Sequence, residues 1–456
     1  MSRPNIWSTS RRSNPRPGGD GDKRTAFEQD YDRLLFSTPI RRLADKTQVF
    51  PLEQNDSIRT RLTHSHEVSN LARSLGNRII RTDPNCFGKD PAVIAAVPVI
   101  LATVGLAHDL GNPPFGHQGE AAIGRWFEKN RALFECPNVP GVPKIKFRAV
   151  RKSHQNDFLK FEGNAQTLRL LSRLQNTSGP SGLNLTAGTL SASMKYTVPS
   201  GKTAKGNAAS KKFGYFASEA DVAKWISEET GLEAGQRHPL TWLMEASDDT
   251  AYSVMDVEDA IKKELVSPED LRAYIRNRFA TSDAGGGLVN QLERDFEAAD
   301  KLDADLARVG EIKTSYLRTR LVEKVISGAA EEFIKDHKRI FEFSRRRALL
   351  DCSSFESELV DALKDFARTH AYNSPQVLEI ELKGAQIIDG LMTDMWNAIS
   401  SRDKFEDLSS RRRQPKAAYV YSKISGSYRW QFERNLGGSK LPVRYRELQL
   451  LSDMIS

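Results

Sequence analysis

Histidine and aspartate residues at widely separated positions carry the sharpest chemical signal in this sequence. The pair His108-Asp109 ends a long apolar run, His64 lies upstream within a helical pattern, and Asp248 lies far downstream. Imidazole nitrogens and carboxylate oxygens are common ligands of divalent cations. The four side chains therefore predict one metal centre that leaves coordination positions open for water and a phosphate oxygen. Taken alone, the His-Asp dipeptide favours a capping or core role.

A second pair, His117 and Glu120, follows the first pair after a short turn. Residues three apart on a helix share one face, so the carboxylate can orient the imidazole and raise its basicity. Such a pair suits general acid–base chemistry near neutral pH. Without the metal ligands, the same spacing would indicate an ordinary surface pair.

The helix predicted around Asp248 carries two further polar residues in register with it. Asp248, Tyr252 and Asp256 are spaced by four residues, which spreads them over about 80° of one helix face. A metal ligand, an aromatic hydroxyl and a second carboxylate then line one wall, where Asp256 can accept a hydrogen bond from a sugar hydroxyl. N-capping or simple exposure is the interpretation for the acidic residues outside this row, Asp249, Glu258 and Asp259.

The segment FEGNAQ (161–166) allows two interpretations of equal weight. Glu162 and Asn164 either support the metal-binding histidines from behind or cap the helix predicted for Asn164–Gln175, since asparagine is a favoured N-cap residue.

Composition limits the classes to which the chain can belong. With 456 residues, 39% apolar and 28% charged, the chain can bury a sizeable core, which excludes wholesale disorder. Its net charge of +8 suits a nucleotide or nucleic acid without requiring either. Three cysteines without a CxxC motif argue against a disulfide framework and predict a reducing, cytoplasmic location. The apolar run Ala92–Ala107 is too short to cross a bilayer and predicts a buried helix; no membrane partner or targeting segment is expected.

Helical periodicity dominates from Thr25 onward, so we predict an all-α fold with at most small β-hairpins. Residues 1–24 are predicted to form a flexible basic arm. Residues 25–270 are predicted as the catalytic core, and residues 271–456 as a helical region that packs on it and contributes to oligomerisation. A Gly-, Ser- and Lys-rich stretch at 176–216 is predicted as a mobile or ligand-binding loop, with a short helix near Thr186–Met194.

Several segments match one enzyme family in the right order. The matching segments are RRLADKTQVFP (41–51), RTRLTHSHEV (59–68), AHDLGNPPFGHQGE (107–120), FEGNAQTLRLL (161–171), GLNLTAGTL (182–190), KKFGYF (211–216) and RHPLTWLMEASDDTAYSVMD (237–256). Together they make the chain resemble the HD-superfamily deoxynucleoside triphosphate triphosphohydrolases, close to the bacterial dGTPases. The C-terminal RYRELQLLSDMIS also resembles the family, but the chain stops where relatives usually continue the helix, so a truncation or a shortened tail is expected.

The resemblance implies a reaction and residue roles. In the implied reaction, water attacks the α-phosphorus of a dNTP, with dGTP preferred, and gives a deoxynucleoside and inorganic tripolyphosphate. By position, the family's metal ligands match His64, His108, Asp109 and Asp248, and its catalytic pair matches His117 and Glu120. Residues that match deoxyribose recognition are Gln48, Tyr252 and Asp256. Residues that match triphosphate contacts are Arg61, Lys195, Tyr196 and Lys212.

The resemblance also implies a divalent metal ion and partners. We expect Mg²⁺ or Mn²⁺, with Fe²⁺, Co²⁺ or Ni²⁺ as alternatives, because a His/Asp donor set alone does not select among them. The family implies a homo-oligomer, either a tetramer or a hexamer, and binding to single-stranded DNA.

Two other functions stay open from sequence alone. One is another HD-type phosphohydrolase, such as a nucleotidase or a cyclic-nucleotide phosphodiesterase, which would not require the His117–Glu120 pair or the sugar wall. The other is a nucleic-acid-binding regulatory protein on an HD scaffold, motivated by the net positive charge and by Arg411-Arg412-Arg413.

Overall fold

The structure, a computed structural model, describes residues 4–13, 22–50, 55–135, 148–175, 181–435 and 440–456. Parts of the predicted arm and residues 176–180 of the predicted loop lie outside the described residues. Within the described ranges the chain forms helices and three isolated β-bridges, with no sheet, which confirms the predicted all-α fold. Of the helices described, none is both long and apolar enough to cross a membrane.

The helices are numbered along the chain. The first ten are α1 (Ala26–Leu35), α2 (Thr38–Arg42), α3 (Arg61–Thr82), α4 (Pro91–Ala107), α5 (Gly116–Lys129), α6 (Lys152–Leu159), α7 (Gly163–Arg169), α8 (Ala187–Ser193), α9 (Ala220–Thr230) and α10 (Pro239–Lys262). They are followed by α11 (Pro268–Phe279), α12 (Asp283–Asp300), α13 (Leu306–Lys335), α14 (His337–Phe341), α15 (Phe355–Ala367), α16 (Pro375–Ser400), α17 (Pro415–Ser422), α18 (Gly426–Arg434) and α19 (Val443–Ile455). Two π-helical turns occur at Leu170–Leu174 and Arg368–Tyr372.

The chain divides into two compact units, each assembled from separate segments. Unit 1 contains Met1–Lys46, Leu106–Thr241 and Glu381–Ser456. Unit 2 contains Thr47–Gly105 and Trp242–Ile380. The contiguous regions proposed from the sequence, 25–270 and 271–456, stay a prediction.

In unit 2, a close approach of α3 and α4 forms part of the core. The Ser69 hydroxyl of α3 donates to the Ala102 carbonyl of α4 at 2.8 Å. A Cβ atom on Gly105 would lie only 2.7 Å from Ser69 Cα, so glycine is what allows the two backbones to meet. The apolar run of α4 is therefore a core element, as the sequence predicts.

In unit 1, aromatic side chains join α5, α6 and α19. The ring centroids of Phe127 and Phe158 are 5.1 Å apart, and those of Phe158 and Tyr445 are 5.0 Å apart. All three side chains are buried, and such aromatic pairs add stability beyond the area they bury. This packing anchors the helix that carries His117 and Glu120.

Two polar-looking segments also pack into unit 1. The Ser8 carbonyl accepts a hydrogen bond from Gly188 N–H at 2.9 Å, and Arg11 pairs with buried Asp30 at 2.6 Å. These contacts hold residues 4–13 of the N-terminal segment. The short helix predicted near Thr186–Met194 is present as α8, and Leu185 beside it is buried.

Candidate active site

Helix α3 places His64 on its buried face. Thr60 caps the helix by accepting a hydrogen bond from Thr63 N–H, while Thr60 N–H donates to the Thr63 hydroxyl at 3.0 Å. The helix therefore starts at Arg61, and its buried stripe contains Arg61, His64 and Val68. His64 is 1% exposed, and its Nε2 lies 3.4 Å from Oδ1 of Asp248 in α10.

The turn after α4 carries His108 and Asp109. The Asn112 amide donates to Oδ1 of Asp109 and so orients this carboxylate. A Cβ atom on Gly111 would lie 2.2 Å from the Gly163 carbonyl, so a larger residue would push the turn away from α7. His108 Nε2 lies 3.6 Å from Asp109 Oδ1.

Each unit places one histidine beside one carboxylate of the predicted metal-ligand set. In unit 2, His64 lies 3.4 Å from Asp248, and in unit 1, His108 lies 3.6 Å from Asp109. Two imidazoles with carboxylates form a donor set that suits divalent transition metals. The residues present therefore fit a divalent cation.

His117 and Glu120 lie together at the start of α5. His117 Nδ1 lies 2.8 Å from Glu120 Oε2, and Glu120 Oε1 accepts a hydrogen bond from Gly163 N–H at 2.8 Å. The hydrogen bond to Glu120 raises the pKa of His117. Burial acts to raise the pKa of Glu120, but the hydrogen bond from His117 and the charge of Lys212 outweigh burial, so this pKa falls. The imidazole itself is 84% exposed.

Lys212 joins this pair to Glu162. Its Nζ lies 2.8 Å from Glu162 Oε2 and 3.8 Å from Glu120 Oε2. Glu162 is also the N-cap of α7, because its carboxylate accepts from the backbone and side-chain amides of Asn164. The capping residue is thus Glu162 and not Asn164. Burial acts to lower the pKa of Lys212, but the charges of Glu162 and Glu120 raise it overall.

These side chains line a cavity of about 580 Å³ in unit 1. Its basic lining residues are Arg125, Lys160, Lys211 and Lys212. Neither Arg125 nor Lys160 is among the residues predicted from the sequence, because both fit the pattern of ordinary solvated charges on helix surfaces.

The structure places Lys195 and Tyr196 next to the segment KKFGYF (211–216). A Cβ atom on Gly214 would lie 1.7 Å from the Tyr196 carbonyl, so the two backbones touch at this glycine. Arg237 Nε donates to the Lys195 carbonyl at 2.7 Å, and its guanidinium lies 5.9 Å from the centroid of the buried Tyr196 ring.

In unit 2, Asp256 and Tyr252 are accompanied by Tyr372, which the sequence did not reveal. Asp256 is fully buried, and its Oδ2 accepts a hydrogen bond from the Tyr372 hydroxyl. Burial raises its pKa well above the ordinary value. Tyr252 is 37% exposed and stacks on Tyr372 at 5.9 Å. Gln48 is half-buried, and its buried Oε1 has no hydrogen-bond partner in the described part of the chain.

Two acidic residues of α10 were expected to be caps or exposed, and that expectation is wrong. Glu258 and Asp259 are buried because Arg59 lies between them, 2.6 Å from Glu258 and 2.5 Å from Asp259. Arg59 also pairs with Glu67 at 2.9 Å. This network holds the segment just before α3 against α10. Helix α3 carries His64, and α10 carries Asp248.

Comparison with known proteins gives consistent names. No family model matches the chain. It is 35% identical over 441 residues to a Listeria monocytogenes protein named deoxyguanosinetriphosphate triphosphohydrolase-like protein, covering 95% of this chain and 91% of that protein. It is 32% identical over 491 residues to deoxyguanosinetriphosphate triphosphohydrolase of Klebsiella pneumoniae, covering 99% and 94%. The enzyme of the same name from Yersinia pseudotuberculosis is 32% identical over 480 residues, covering 94% and 90%.

Proposed function

Because this chain belongs to the deoxyguanosinetriphosphate triphosphohydrolase family, a family of hydrolases, we propose that it hydrolyses dGTP to deoxyguanosine and inorganic tripolyphosphate in a metal-dependent reaction. The observation that carries the proposal is that each unit places a histidine beside a carboxylate, His64 beside Asp248 and His108 beside Asp109. In this proposal the four side chains would hold the divalent cation. Such a cation, when bound, polarises a phosphoryl oxygen and lowers the pKa of a bound water.

His117 supplies the proton chemistry in this proposal. Its Nδ1–H donates to Glu120, which leaves Nε2 for the substrate. The hydrogen bond to Glu120 raises the pKa of His117, which increases the fraction of imidazolium at a given pH. As the oxygen of water bonds to the α-phosphorus and the bond to the 5′-oxygen breaks, the imidazolium gives its proton to the departing 5′-oxygen. The proton that the water loses passes to solvent, from which the neutral imidazole regains one. Glu120, held by Gly163 N–H, keeps the imidazole in position.

Basic side chains balance the charge of the triphosphate. In the absence of substrate Lys212 pairs with Glu162, and phosphate oxygens would replace this carboxylate as its partner. Charge-assisted hydrogen bonds of this kind are about twice as strong as neutral ones. We assign the same role to Arg125 and Lys160 in the cavity lining. Triphosphate contacts from Arg61, Lys195 and Tyr196 rest on the family resemblance.

We assign recognition of the deoxyribose to Gln48, Tyr252 and Asp256. Asp256 is buried and held by Tyr372, so it forms a fixed wall and not a mobile surface group. A wall of this kind discriminates against ribonucleotides, because it leaves the added 2′-hydroxyl either no room or no hydrogen-bond partner.

Product analysis tests the proposed reaction. Incubation with dGTP and Mg²⁺ or Mn²⁺, followed by ion-exchange chromatography, should show deoxyguanosine and tripolyphosphate in equal amounts. Release of pyrophosphate or orthophosphate as the first product would refute the proposal. His64→Ala should lose bound metal and turnover together, whereas His66→Ala, at an exposed position two residues away, should keep both. Full turnover and full metal content in His64→Ala would contradict the ligand assignment.

The assembly, a second partner and the location stay predictions. Light scattering tests for a tetramer or hexamer, and salt-dependent binding of an oligonucleotide tests for contact with single-stranded DNA. A cytoplasmic location rests on the cysteine content alone.

A further inference from the structure

Unit 1 contains a second cavity, in a part of the chain that the proposed reaction does not use. Its volume is about 580 Å³, and its walls come from residues within 148–154, 169–173, 217–221, 431–435 and 440–453. It shares no lining residue with the cavity beside His117. Pockets of roughly 300–1,000 Å³ hold small-molecule ligands in many proteins, so this cavity has the size of a ligand site.

The lining of this second cavity is strongly basic. Its charged residues are the cations Arg148, Arg151, Arg169, Arg173, Lys440 and Arg446 and the carboxylates Asp221 and Asp453. Both carboxylates are already paired, Asp453 with Arg169 at 2.6 Å and Asp221 with Arg173 at 2.5 Å.

Four cations then remain to face a ligand. Within the described ranges, no carboxylate forms an ion pair with Arg148, Arg151, Lys440 or Arg446. Four positive charges around one small cavity repel one another, and a ligand with several negative charges relieves that repulsion. A single carboxylate or phosphate would neutralise only part of the charge.

Gln449 gives a second and independent indication of a ligand. This residue lines the cavity and is only 2% exposed. Its Oε1 accepts a hydrogen bond from the Ser218 hydroxyl at 3.1 Å, whereas its Nε2 is buried and has no acceptor among the residues described. Arg446 Nε, also on the lining, is buried without an acceptor as well. A buried donor left without an acceptor destabilises the protein, and oxygen atoms of a bound anion would satisfy both donors.

We propose that this cavity binds a phosphate-rich anion, either inorganic tripolyphosphate or the phosphate chain of a nucleotide, at a site separate from the candidate active site. Several linked phosphates supply both the multiple charges that the cations require and the oxygen acceptors that Gln449 and Arg446 lack. The N-terminus of α19, whose N-cap Pro442 makes no side-chain capping bond, adds partial positive charge to the lining.

Calorimetric titration with inorganic tripolyphosphate in EDTA tests this site, because EDTA removes divalent cations and prevents turnover. The test variant is Arg148→Glu/Arg151→Glu, since both residues are exposed and neither side chain makes a hydrogen bond or ion pair with the residues that the structure describes. The control is Arg411→Glu/Lys423→Glu, which makes the same charge change at two exposed positions elsewhere in unit 1. We expect the test variant to bind about tenfold more weakly or worse, and the control to bind like the wild type.

A second variant shows whether weaker binding results from the loss of a specific contact or from a change in net charge. Gln449→Leu keeps the net charge but removes the amide donor, so it should also weaken binding, with thermal melting used to confirm that it is folded. Equal affinity in the wild type and Arg148→Glu/Arg151→Glu would overturn the proposal, as would equal losses in the test variant and the charge-matched control. A parallel titration with dGTP distinguishes the two ligands when the wild type is compared with Arg148→Glu/Arg151→Glu, because binding at the candidate active site is common to both proteins. A larger loss of affinity for dGTP than for tripolyphosphate identifies a nucleotide, and an equal loss identifies the phosphate chain alone.

Discussion

Unit 1 contains two clusters in which carboxylates form ion pairs with cationic side chains. The two clusters differ in the exposed fraction of their side chains. The buried cluster consists of Arg169, Glu219 and Asp453, and the exposed cluster consists of His117, Glu120, Glu162 and Lys212. In the buried cluster no side chain exceeds 8% exposure, and Arg169 donates to Glu219 at 2.7 Å and to Asp453 at 2.6 Å. In the exposed cluster His117 is 84% exposed, although Glu120 beneath it is only 10% exposed.

We interpret the difference as a structural role for the buried cluster and propose a chemical role for the exposed one. All three guanidinium nitrogens of Arg169 donate to carboxylates, so the buried cluster contributes to stability only while it is complete. His117 uses Nδ1 in its contact with Glu120, and in the proposed mechanism Nε2 faces the substrate. We therefore expect catalysis from the cluster in which a buried carboxylate orients an exposed imidazole, and not from charge pairs in general.

Replacing His117 should give the largest effect. In His117→Ala we expect kcat to fall by about 10²–10⁴-fold, the usual contribution of a general acid or base, while metal content and melting temperature stay unchanged. Steady-state kinetics with dGTP measure the loss. Gln118→Ala, at the neighbouring exposed position of α5, is the matched control. Wild-type kcat in His117→Ala would remove the chemical role of the exposed cluster.

The buried cluster should respond to mutation in the opposite way. Arg169→Met leaves Glu219 and Asp453 buried without their cation, which costs about 3–5 kcal/mol of unfolding free energy. Urea unfolding measures this loss, and the fraction that remains folded should keep near wild-type kcat. Arg411→Met, on the surface of the same unit, should change stability little. A small change in Arg169→Met would mean that the cluster does not stabilise the fold.

The pH dependence of activity should report the coupling between His117 and Glu120. The hydrogen bond to Glu120 is the first cause of the raised pKa of His117, so Glu120→Gln should lower this pKa. If the imidazolium is the reactive form, activity then disappears at a lower pH than in the wild type. Profiles of kcat/KM against pH measure the alkaline limb.

The control for this experiment is Glu128→Gln, which changes a carboxylate near the other end of α5 that pairs with Arg131. Its alkaline limb should match that of the wild type. An identical limb in Glu120→Gln would show that Glu120 does not set the pKa of His117.

The smallest effect is expected for an exposed ion pair that, among the described residues, no buried side chain orients. Lys416 and Asp394 lie 2.7 Å apart, with 71% and 45% of their side chains exposed. Lys416→Ala should change the unfolding free energy by about 0.5 kcal/mol or less and leave kcat unaltered, as measured by urea unfolding and dGTP kinetics. A large loss of activity would show that exposure alone does not distinguish the two clusters.

Local spacing explains what the sequence predicted of the fold and of the site. The apolar run of α4, the turn after it and the three-residue spacing of His117 and Glu120 all depend on neighbours in the chain. The structure contains each of them and, within unit 2, also places His64 3.4 Å from Asp248. The roles of these residues in catalysis stay a prediction.

The features that the sequence did not reveal depend on segments far apart in the chain. Arg59 meets Asp259 across 200 positions, and Tyr372 meets Asp256 across 116 positions. Neither contact has a periodic signal, because each follows from tertiary packing and not from helical spacing. Tyr372 lies in the π-helical turn Arg368–Tyr372, which the pattern of apolar residues does not predict. The sequence alone therefore does not identify the distant residues that pair with these buried charges; the structure does.

The proposed attack of water on the α-phosphorus can be tested most directly with isotopically labelled water. Hydrolysis of dGTP in H₂¹⁸O, followed by mass spectrometry of both products, shows which bond breaks. We predict ¹⁸O in the tripolyphosphate and unlabelled deoxyguanosine, because the new oxygen bonds to phosphorus and the 5′-oxygen leaves with the sugar. Label in deoxyguanosine, or labelled orthophosphate released together with dGDP, would contradict the account.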